Sequence, residues 1–490
     1  MNGLRTTAAL LIFNALSVHA DWPQFRGSNS SGISIEEIPT VFGPGKNELW
    51  NVAVGSGHSS PCVVGENIFL TAHEAESRSL DVICLSRIDG TVRWRQSVTA
   101  AEIEKGHPSF HPASSSPACD GERVVAYFGS YGLVCFDVNG TQLWEMKLPL
   151  AKSYGGNAAS PIIVNDRVVL YRATYEDHFL LALDKFSGKE LWRVPQAEPF
   201  TGEMACTACP IVAGDLLIAH TARSVQAFEL ETGERRWVTK CATTATSTPV
   251  LHQDQVVVAA WNKMGEPALR PEFPNYEKLI REHDVDGDQA INQKEFPRLW
   301  IFHRPDGIEA PQNGAPLNFR RSDGNGDGKL DAEEWSKTLE GIARFREGYQ
   351  SHGILAIPLK SSGVIAPATV RKLATNGIPE VPSPVSHNGL LYFVKNGGVL
   401  TCLDLETGER VYRRRTKGKG THYASPVIAG KTLLTTAGNG RISVIAVGRT
   451  PETLAVNEMG ENVYATPAVD AGVLYVRTHS RLFAFGRRTE

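Results

Sequence analysis

"ALDKFSGKELW", residues 182–192, decides the fold. An alternating apolar strand runs into a Gly-containing turn, and the next strand carries a tryptophan four residues after the glycine. The step returns as "AFELETGERRW" (227–237), "CLDLETGERVY" (402–412), "CLSRIDGTVRW" (84–94) and "CFDVNGTQLW" (135–144). A turn residue that tolerates positive φ between two strand-forming runs is a hairpin signal. Its recurrence makes the chain a repeat protein. Each step opens on a small residue, Cys84, Cys135, Ala182, Ala227 or Cys402, which reads as a small buried position rather than a reactive thiol.

Outward from this step, each unit opens at a Ser/Thr-Pro step into a short apolar strand, followed by a Gly/Asp/Asn turn and a second strand. The opening prolines are Pro61, Pro117, Pro161, Pro210, Pro249, Pro384, Pro426 and Pro467, and six of their seven spacings are 39–56 residues. That length holds four short strands and their turns, one propeller blade. Eight openings predict eight blades. The last unit ends at "LFAFGRRTE" without a fourth strand, and "NELWNVAV" (47–54) matches "KELWRV" (189–194). The N-terminal strand is therefore expected to complete the last blade, which would remove two exposed sheet edges.

This pattern, with "DWPQFRG" at 21–27, resembles the quinoprotein-like (PQQ-repeat) β-propeller family over nearly all of the chain outside one insertion. That family includes quinone-dependent alcohol dehydrogenases, an outer-membrane assembly lipoprotein and many other exported proteins. The resemblance therefore implies a fold more than an activity. For the dehydrogenases it would imply two adjacent cysteines beside the quinone. No Cys-Cys pair and no haem-attaching C-x-x-C-H occurs, which argues against PQQ as a cofactor.

The one long spacing, Pro249 to Pro384, contains the insertion, expected at 262–350 between the second and third strands of blade five. "DGNGDGKLDAEEW" (323–335) places Asp323, Asn325, Asp327, Asp331 and Glu334 at positions 1, 3, 5, 9 and 12 of a calcium loop. Lys329 offers its carbonyl at position 7, and Gly328 makes the sharp turn at position 6. Calcium takes six to eight hard oxygen ligands, and this spacing wraps them around one point. Asp284, Asp286, Asp288, Asn292 and Glu295 repeat the pattern with the Ala290 carbonyl at position 7, but Gln289 stands where the glycine belongs. A left-handed non-glycine residue costs about 1–2 kcal/mol, so the first loop is expected to be the weaker. Apolar periodicity predicts helices before the first loop (Tyr276, Leu279, Ile280), after it (Phe296, Leu299, Trp300) and after the second (Trp335, Leu339, Ile342, Tyr349). The module resembles a paired EF-hand, binding one or two Ca2+ ions. A dockerin is the rival reading, and glutamate at both twelfth positions favours the EF-hand.

Among 490 residues the net charge is −3, which gives no field for nucleic acid or an anionic membrane. Arg5, the run "AALLIFNAL" and "VHA" ending at Ala20 read as an export signal over residues 1–20, and no later apolar run could span a bilayer. The expected organisation is propeller over 21–261 and 351–490 with the EF-hand module at 262–350, in a periplasmic or secreted monomer. Cys206 and Cys209 have a redox spacing but no second pair, leaving a local disulfide or two free thiols. "AGKTLL" (429–434) lacks the first glycine of a phosphate loop and aligns with hairpin turns, and G-x-S-x-G and H-E-x-x-H are absent.

Loops entering first strands and loops joining second to third strands open on one propeller face. His58, His111, Tyr154, Met204, His422, Tyr423 and Tyr464 are thus expected around the channel mouth, near Lys417 and Lys419, as a site for a small molecule or glycan. The leading reading is an exported calcium-binding propeller that acts as a ligand-binding or protein-interaction scaffold. The alternative is a quinoprotein-like oxidoreductase.

Overall fold

The computed structural model describes residues 21–487 apart from 203, 242–243, 263, 305–312, 348–350 and 419. The expected export signal, Tyr349 and Lys419 lie outside the described residues. Eight antiparallel sheets of four main strands each follow one another along the chain. Blade 1 comprises Cys62–Val64, Asn67–Glu74, Ser79–Ser86 and Val92–Thr99. Blades 2 to 8 begin at Ala118, Ile162, Ile211, Val250, Val385, Val427 and Ala468. The first strands of blades 1 and 2, 2 and 3, 5 and 6, and 8 and 1 contact one another, which places the first strands on the axis. Glu48–Ala53 lies antiparallel to Arg481–Phe485 as the outer strand of the last blade.

The repeated step has a packing reason. In register, the small residue faces the aromatic one: Cys84 opposite Trp94, Cys135 opposite Trp144, Ala182 opposite Trp192, Ala227 opposite Trp237 and Cys402 opposite Tyr412. Each indole then reaches the turn of the next blade. Trp94 Nε1 donates to Val138 O at 2.9 Å, Trp144 Nε1 to Lys185 O at 2.9 Å and Trp192 Nε1 to Leu230 O at 3.1 Å. The turn glycine leaves room for that ring: a Cβ on Gly188, which has φ +70°, would sit 2.6 Å from Trp144. Trp50, on the N-terminal strand, docks in the same way on Gly90 and donates to Arg87 O at 3.2 Å.

A second ring encircles the axis. The residue before each opening proline receives a hydrogen bond from the backbone N–H of its counterpart one blade earlier. Ser60 donates to Ser116 Oγ (2.8 Å), Ser116 to Ser160 Oγ (2.9 Å), Ser160 to Cys209 Sγ (3.3 Å) and Cys209 to Thr248 Oγ1 (3.0 Å). Thr248 donates to Ser383 Oγ (2.9 Å), Ser383 to Ser425 Oγ (3.0 Å), Ser425 to Thr466 Oγ1 (3.0 Å), and Thr466 back to Ser60 Oγ (3.0 Å). Proline at the next position fixes φ and donates no competing N–H. Cys209 is a member of this belt, and Cys206 and Cys209 are both free and buried.

Beneath the belt, residues 22–34 cross the channel. Trp22 exchanges backbone bonds with Val63, Cys119 N donates to Pro23 O at 2.8 Å, and Asn29 makes two 2.8 Å side-chain bonds to Val212. Ile33–Ser34 adds parallel to Val427–Ala429.

The insertion leaves the ring between Gln255–Ala260 and Gly353–Pro358, the second and third strands of blade five. It holds helices α1 (Tyr276–His283), α2 (Phe319–Ser322) and α3 (Ala332–Glu347) around its own core of Leu279, Ile291, Phe319, Leu330 and Trp335. The expected helix after the first loop is not formed. Pro297 has no N–H for a second turn and restrains Phe296, so the chain makes one turn and then a hairpin, Trp300–Arg304 with Asn313–Pro316. No helix among the described residues is long and apolar enough to cross a membrane.

Candidate binding site at the channel mouth

A cavity of about 910 Å³ opens at the mouth of the axis. Its floor is Phe25 of the crossing segment, and its lower wall is the belt, including Ser60, Ser116, Ser383 and Thr466. Its upper wall carries rings: His58, Phe110, Tyr154, Tyr423 and Tyr464. The insertion supplies the remaining side through Trp261, Asn262, Met264, Phe302, Gly314 and Ala315. Among the described lining residues the charged groups are Arg223 and Glu380. The chemistry on offer is therefore hydroxyls below, aromatic faces above and little net charge.

Of the residues expected at the mouth, His58, Tyr154, Met204, Tyr423 and Tyr464 line the cavity. Tyr464 packs between His58 (centroids 4.6 Å apart, edge-on) and Tyr423 (5.4 Å). His111 stands behind His58, with centroids 5.0 Å apart. His111 Nδ1 accepts from Ala113 N at 3.1 Å, so Nε2 carries the proton that it shares with Ser56 Oγ at 2.8 Å. His422 is only 1% exposed and turns inward: its Nδ1 donates to Gly420 O at 3.1 Å. Its backbone N–H donates to Asn396 Oδ1 at 2.7 Å, so Asn396, rather than His422, faces the cavity there. Burial, the nearby Arg477 charge and His479 push His58 down to about 3. Burial, then His58 and Arg477, push His111 down to about 3. Both imidazoles are neutral at pH 7, able to hydrogen-bond and stack but not to supply positive charge.

Sequence reasoning missed the contributions of Phe25, Phe110 and Phe302. Phe110 reaches the wall because Gly156 (φ +78°) gives way: a Cβ there would lie 2.0 Å from the ring. Phe302 is carried in by the unexpected hairpin and is 4% exposed. The root of the arm is clamped by a buried pair. His352 Nε2 donates to Glu266 Oε2 at 3.2 Å, while Glu266 Oε1 accepts from Gly377 N at 3.0 Å.

In the insertion the two acidic loops lie back to back, joined by the pairing of Ile291 with Leu330. In the first, Asp284, Asp286 and Glu295 bring carboxylate oxygens within 4.8 Å of one another. In the second, Glu334 Oε1 accepts from Gly324 N (2.9 Å) and Asn325 N (3.1 Å), and Asp323 accepts from Gly326 N and Gly328 N. Gln289 takes φ +65° where Gly328 takes +84°. Lys329 Nζ reaches across to Asp288 Oδ2 at 2.7 Å, which depresses the Asp288 carboxyl below its ordinary value.

A family model described as outer membrane protein assembly factor BamB matches residues 38–307 and 382–490, more than half of the chain. The chain belongs to this family. Similar solved structures include BamB from Moraxella catarrhalis (11% identity, TM-score 0.52), covering 90% of this chain and 98% of that one. A europium-containing methanol dehydrogenase is 14% identical (TM-score 0.53), covering 96% of this chain and 98% of its own. Quinohemoprotein alcohol dehydrogenase from Comamonas testosteroni is 12% identical (TM-score 0.55), covering 96% and 81%. At these identities the likeness of this BamB-family chain to each structure is one of fold. No curated protein gives a significant match.

Proposed function

We propose that this chain is an exported ligand-binding propeller whose mouth cavity is completed by a calcium-held arm. The observation that carries the reading is that one cavity takes its floor from the crossing segment and one wall from the insertion. Aromatic faces over a hydroxyl belt suit a small molecule or glycan of low charge, because such a ligand stacks on rings and exchanges hydrogen bonds without stranding a buried charge.

The calcium part rests on the loop chemistry. In the first loop Asp284, Asp286 and Glu295 gather carboxylate oxygens around a point, the second loop repeats the EF-hand spacing in sequence, and Ile291 and Leu330 pair as facing loops require. Asp284, Asp286, Asp288, Glu295 and the Ala290 carbonyl would hold one ion. Asp323, Asn325, Asp327, Glu334 and the Lys329 carbonyl would hold the other. A bound ion would fix Glu334 at the start of α3, a helix of 16 residues or roughly 24 Å. At its far end Arg346 Nη2 donates to Ile301 O at 2.8 Å and to Pro271 O at 3.1 Å. Ile301 precedes Phe302, so the metal loop and the cavity wall are ends of one lever.

The quinone alternative fits the site less well. Pyrroloquinoline quinone is a planar trianion, and among the described lining residues Arg223 is the one cation that would meet it, with His58 neutral. The eight free cysteines include no adjacent pair. A scaffold role in an assembly, suggested by the family description, remains compatible with the same mouth.

The test is native mass spectrometry of full-length protein recovered from the exported fraction, with and without chelator. A small molecule retained with calcium and lost in Tyr464→Ala supports the reading. Retained quinone with dye-linked alcohol oxidation would overturn it.

A further inference from the structure

The floor of the cavity has donors without acceptors. Each belt hydroxyl (Ser60, Ser116, Ser160, Thr248, Ser383, Ser425 and Thr466) spends a lone pair on the N–H of the preceding blade. The Ser160 and Thr248 hydroxyls can donate to Cys209 Sγ, whereas among the described residues Ser60, Ser116, Ser383, Ser425 and Thr466 donate their own protons to no protein acceptor. Six of the seven line the cavity, with Thr248 the exception.

Under them lies Arg26, which is 0% exposed. Its Nη2 donates to Pro384 O at 2.6 Å, the carbonyl next to belt residue Ser383, and to Ser31 O at 3.3 Å. Nε and Nη1 have no partner, and no carboxylate pairs with the guanidinium among the described residues. Three residues earlier, Pro23 is bonded to blade 2, while the guanidinium reaches blade 6 on the opposite side of the ring. Residues 23–26, with the Arg26 side chain, therefore reach across the axis. A buried cation without a counter-charge is strongly disfavoured. Burial draws the Arg26 guanidinium down to about 9, which still leaves it charged at pH 7. The backbone of Arg26 is also left-handed, at φ +63°, a conformation that disfavours any side chain but is held here by its neighbours.

We propose that an oxyanion binds on the channel axis between the Arg26 guanidinium and the hydroxyl belt. The free Nε–H and Nη1–H and the ring of O–H groups present donors alone, the arrangement that stabilises a carboxylate or phosphate group. The group is either the acidic end of the cavity ligand or a free inorganic anion. One such group is accommodated, in keeping with a ligand of low charge. The proposal rests on the cavity reading above only for the first source and is independent of calcium.

The experiment uses the full chain in a buffer whose only other anion is a bulky sulfonate, at constant ionic strength. Acetate and phosphate are titrated separately, and the thermal midpoint is followed. A saturable rise that fits one site is expected, weakened about tenfold or more in Arg26→Lys, which keeps charge but loses the planar fork. Saturation by acetate alone marks a ligand carboxylate as the source, and saturation by phosphate marks a free oxyanion. If the variant fails to fold, crystals of the unaltered protein in bromide should give an anomalous peak within hydrogen-bond reach of Arg26. A linear rise, an identical response in Arg26→Lys, or no bromide peak at Arg26 would overturn the proposal. None of these readouts depends on the arm, so its failure is separable from failure of the calcium-held site.

Discussion

His352→Leu should release the arm. His352 and Glu266 are each 1% exposed as side chains. Leucine keeps most of the volume but removes two bonds at once: the Nε2–H that Glu266 Oε2 accepts and the Nδ1 that accepts Asn262 N–H at 3.0 Å. Breaking a buried pair from one side costs roughly 3–5 kcal/mol, and stranding a buried amide roughly 1–3 kcal/mol. Part of that is recovered because the root can open to water, so we expect a net local loss of about 4 kcal/mol. The loss should appear first as faster amide exchange around Asn262, Glu266 and Gly377, with the blade strands protected. Burial alone would raise the Glu266 carboxyl, yet the hydrogen bonds from His352 Nε2–H and the Gly377 amide hold it below its ordinary value. The clamp is therefore fully present above about pH 4.3 and lost as pH falls through the lowered folded value. Exchange at the root unchanged in His352→Leu, or a denaturation loss below about 1 kcal/mol with unchanged exchange, would refute this reasoning.

Three further outcomes follow from the structure. Glu334→Gln should remove most of the tighter calcium affinity and Glu295→Gln less, because Gln289 and the Lys329–Asp288 ion pair already handicap the first loop; calorimetry giving equal losses would contradict the ranking. Trp50→Ala should cost roughly 2–3 kcal/mol in urea unfolding, at or below the low end of the roughly 3–5 kcal/mol for a fully buried large aromatic, since Trp50 is half-buried where it docks on Gly90. Burial holds His220 and His422 down to about 4, so the unfolded chain takes up their protons first as pH falls below about 6.5. Each then removes up to about 1.4 kcal/mol of stability per pH unit until its folded value is reached, and urea midpoints equal at pH 7.5 and 5 would argue against their burial.

Much of the architecture was legible because it is local and repeated. The small residue, the turn glycine and the aromatic sit within eleven residues, and their spacing is the register in which Ala182 meets Trp192. The opening prolines were legible as strand starts but not as a belt. A hydroxyl that accepts from a residue 39 to 406 positions away leaves no local signature. The crossing segment was illegible for the same reason: Trp22–Ser34 has no periodicity and is shaped by contacts with five separate blades. Pro297 was in plain view, and weighing its missing N–H against the apolar spacing of Phe296, Leu299 and Trp300 would have predicted the hairpin. His422 and Tyr423 are neighbours that differ in fate. One side chain finds Gly420 O inside while the other packs on Tyr464, and sequence position alone does not separate them.

Hydrogen exchange of the full chain with calcium and with chelator tests the joined arm and mouth most directly. The account predicts that chelation lowers protection across 262–350 and also in the loops that face the arm across the cavity, around Tyr154, Met204 and Glu380. The strands of all eight blades should stay protected, because no calcium loop lies within them. Loss of protection confined to the insertion would contradict the account and make the arm an independent module.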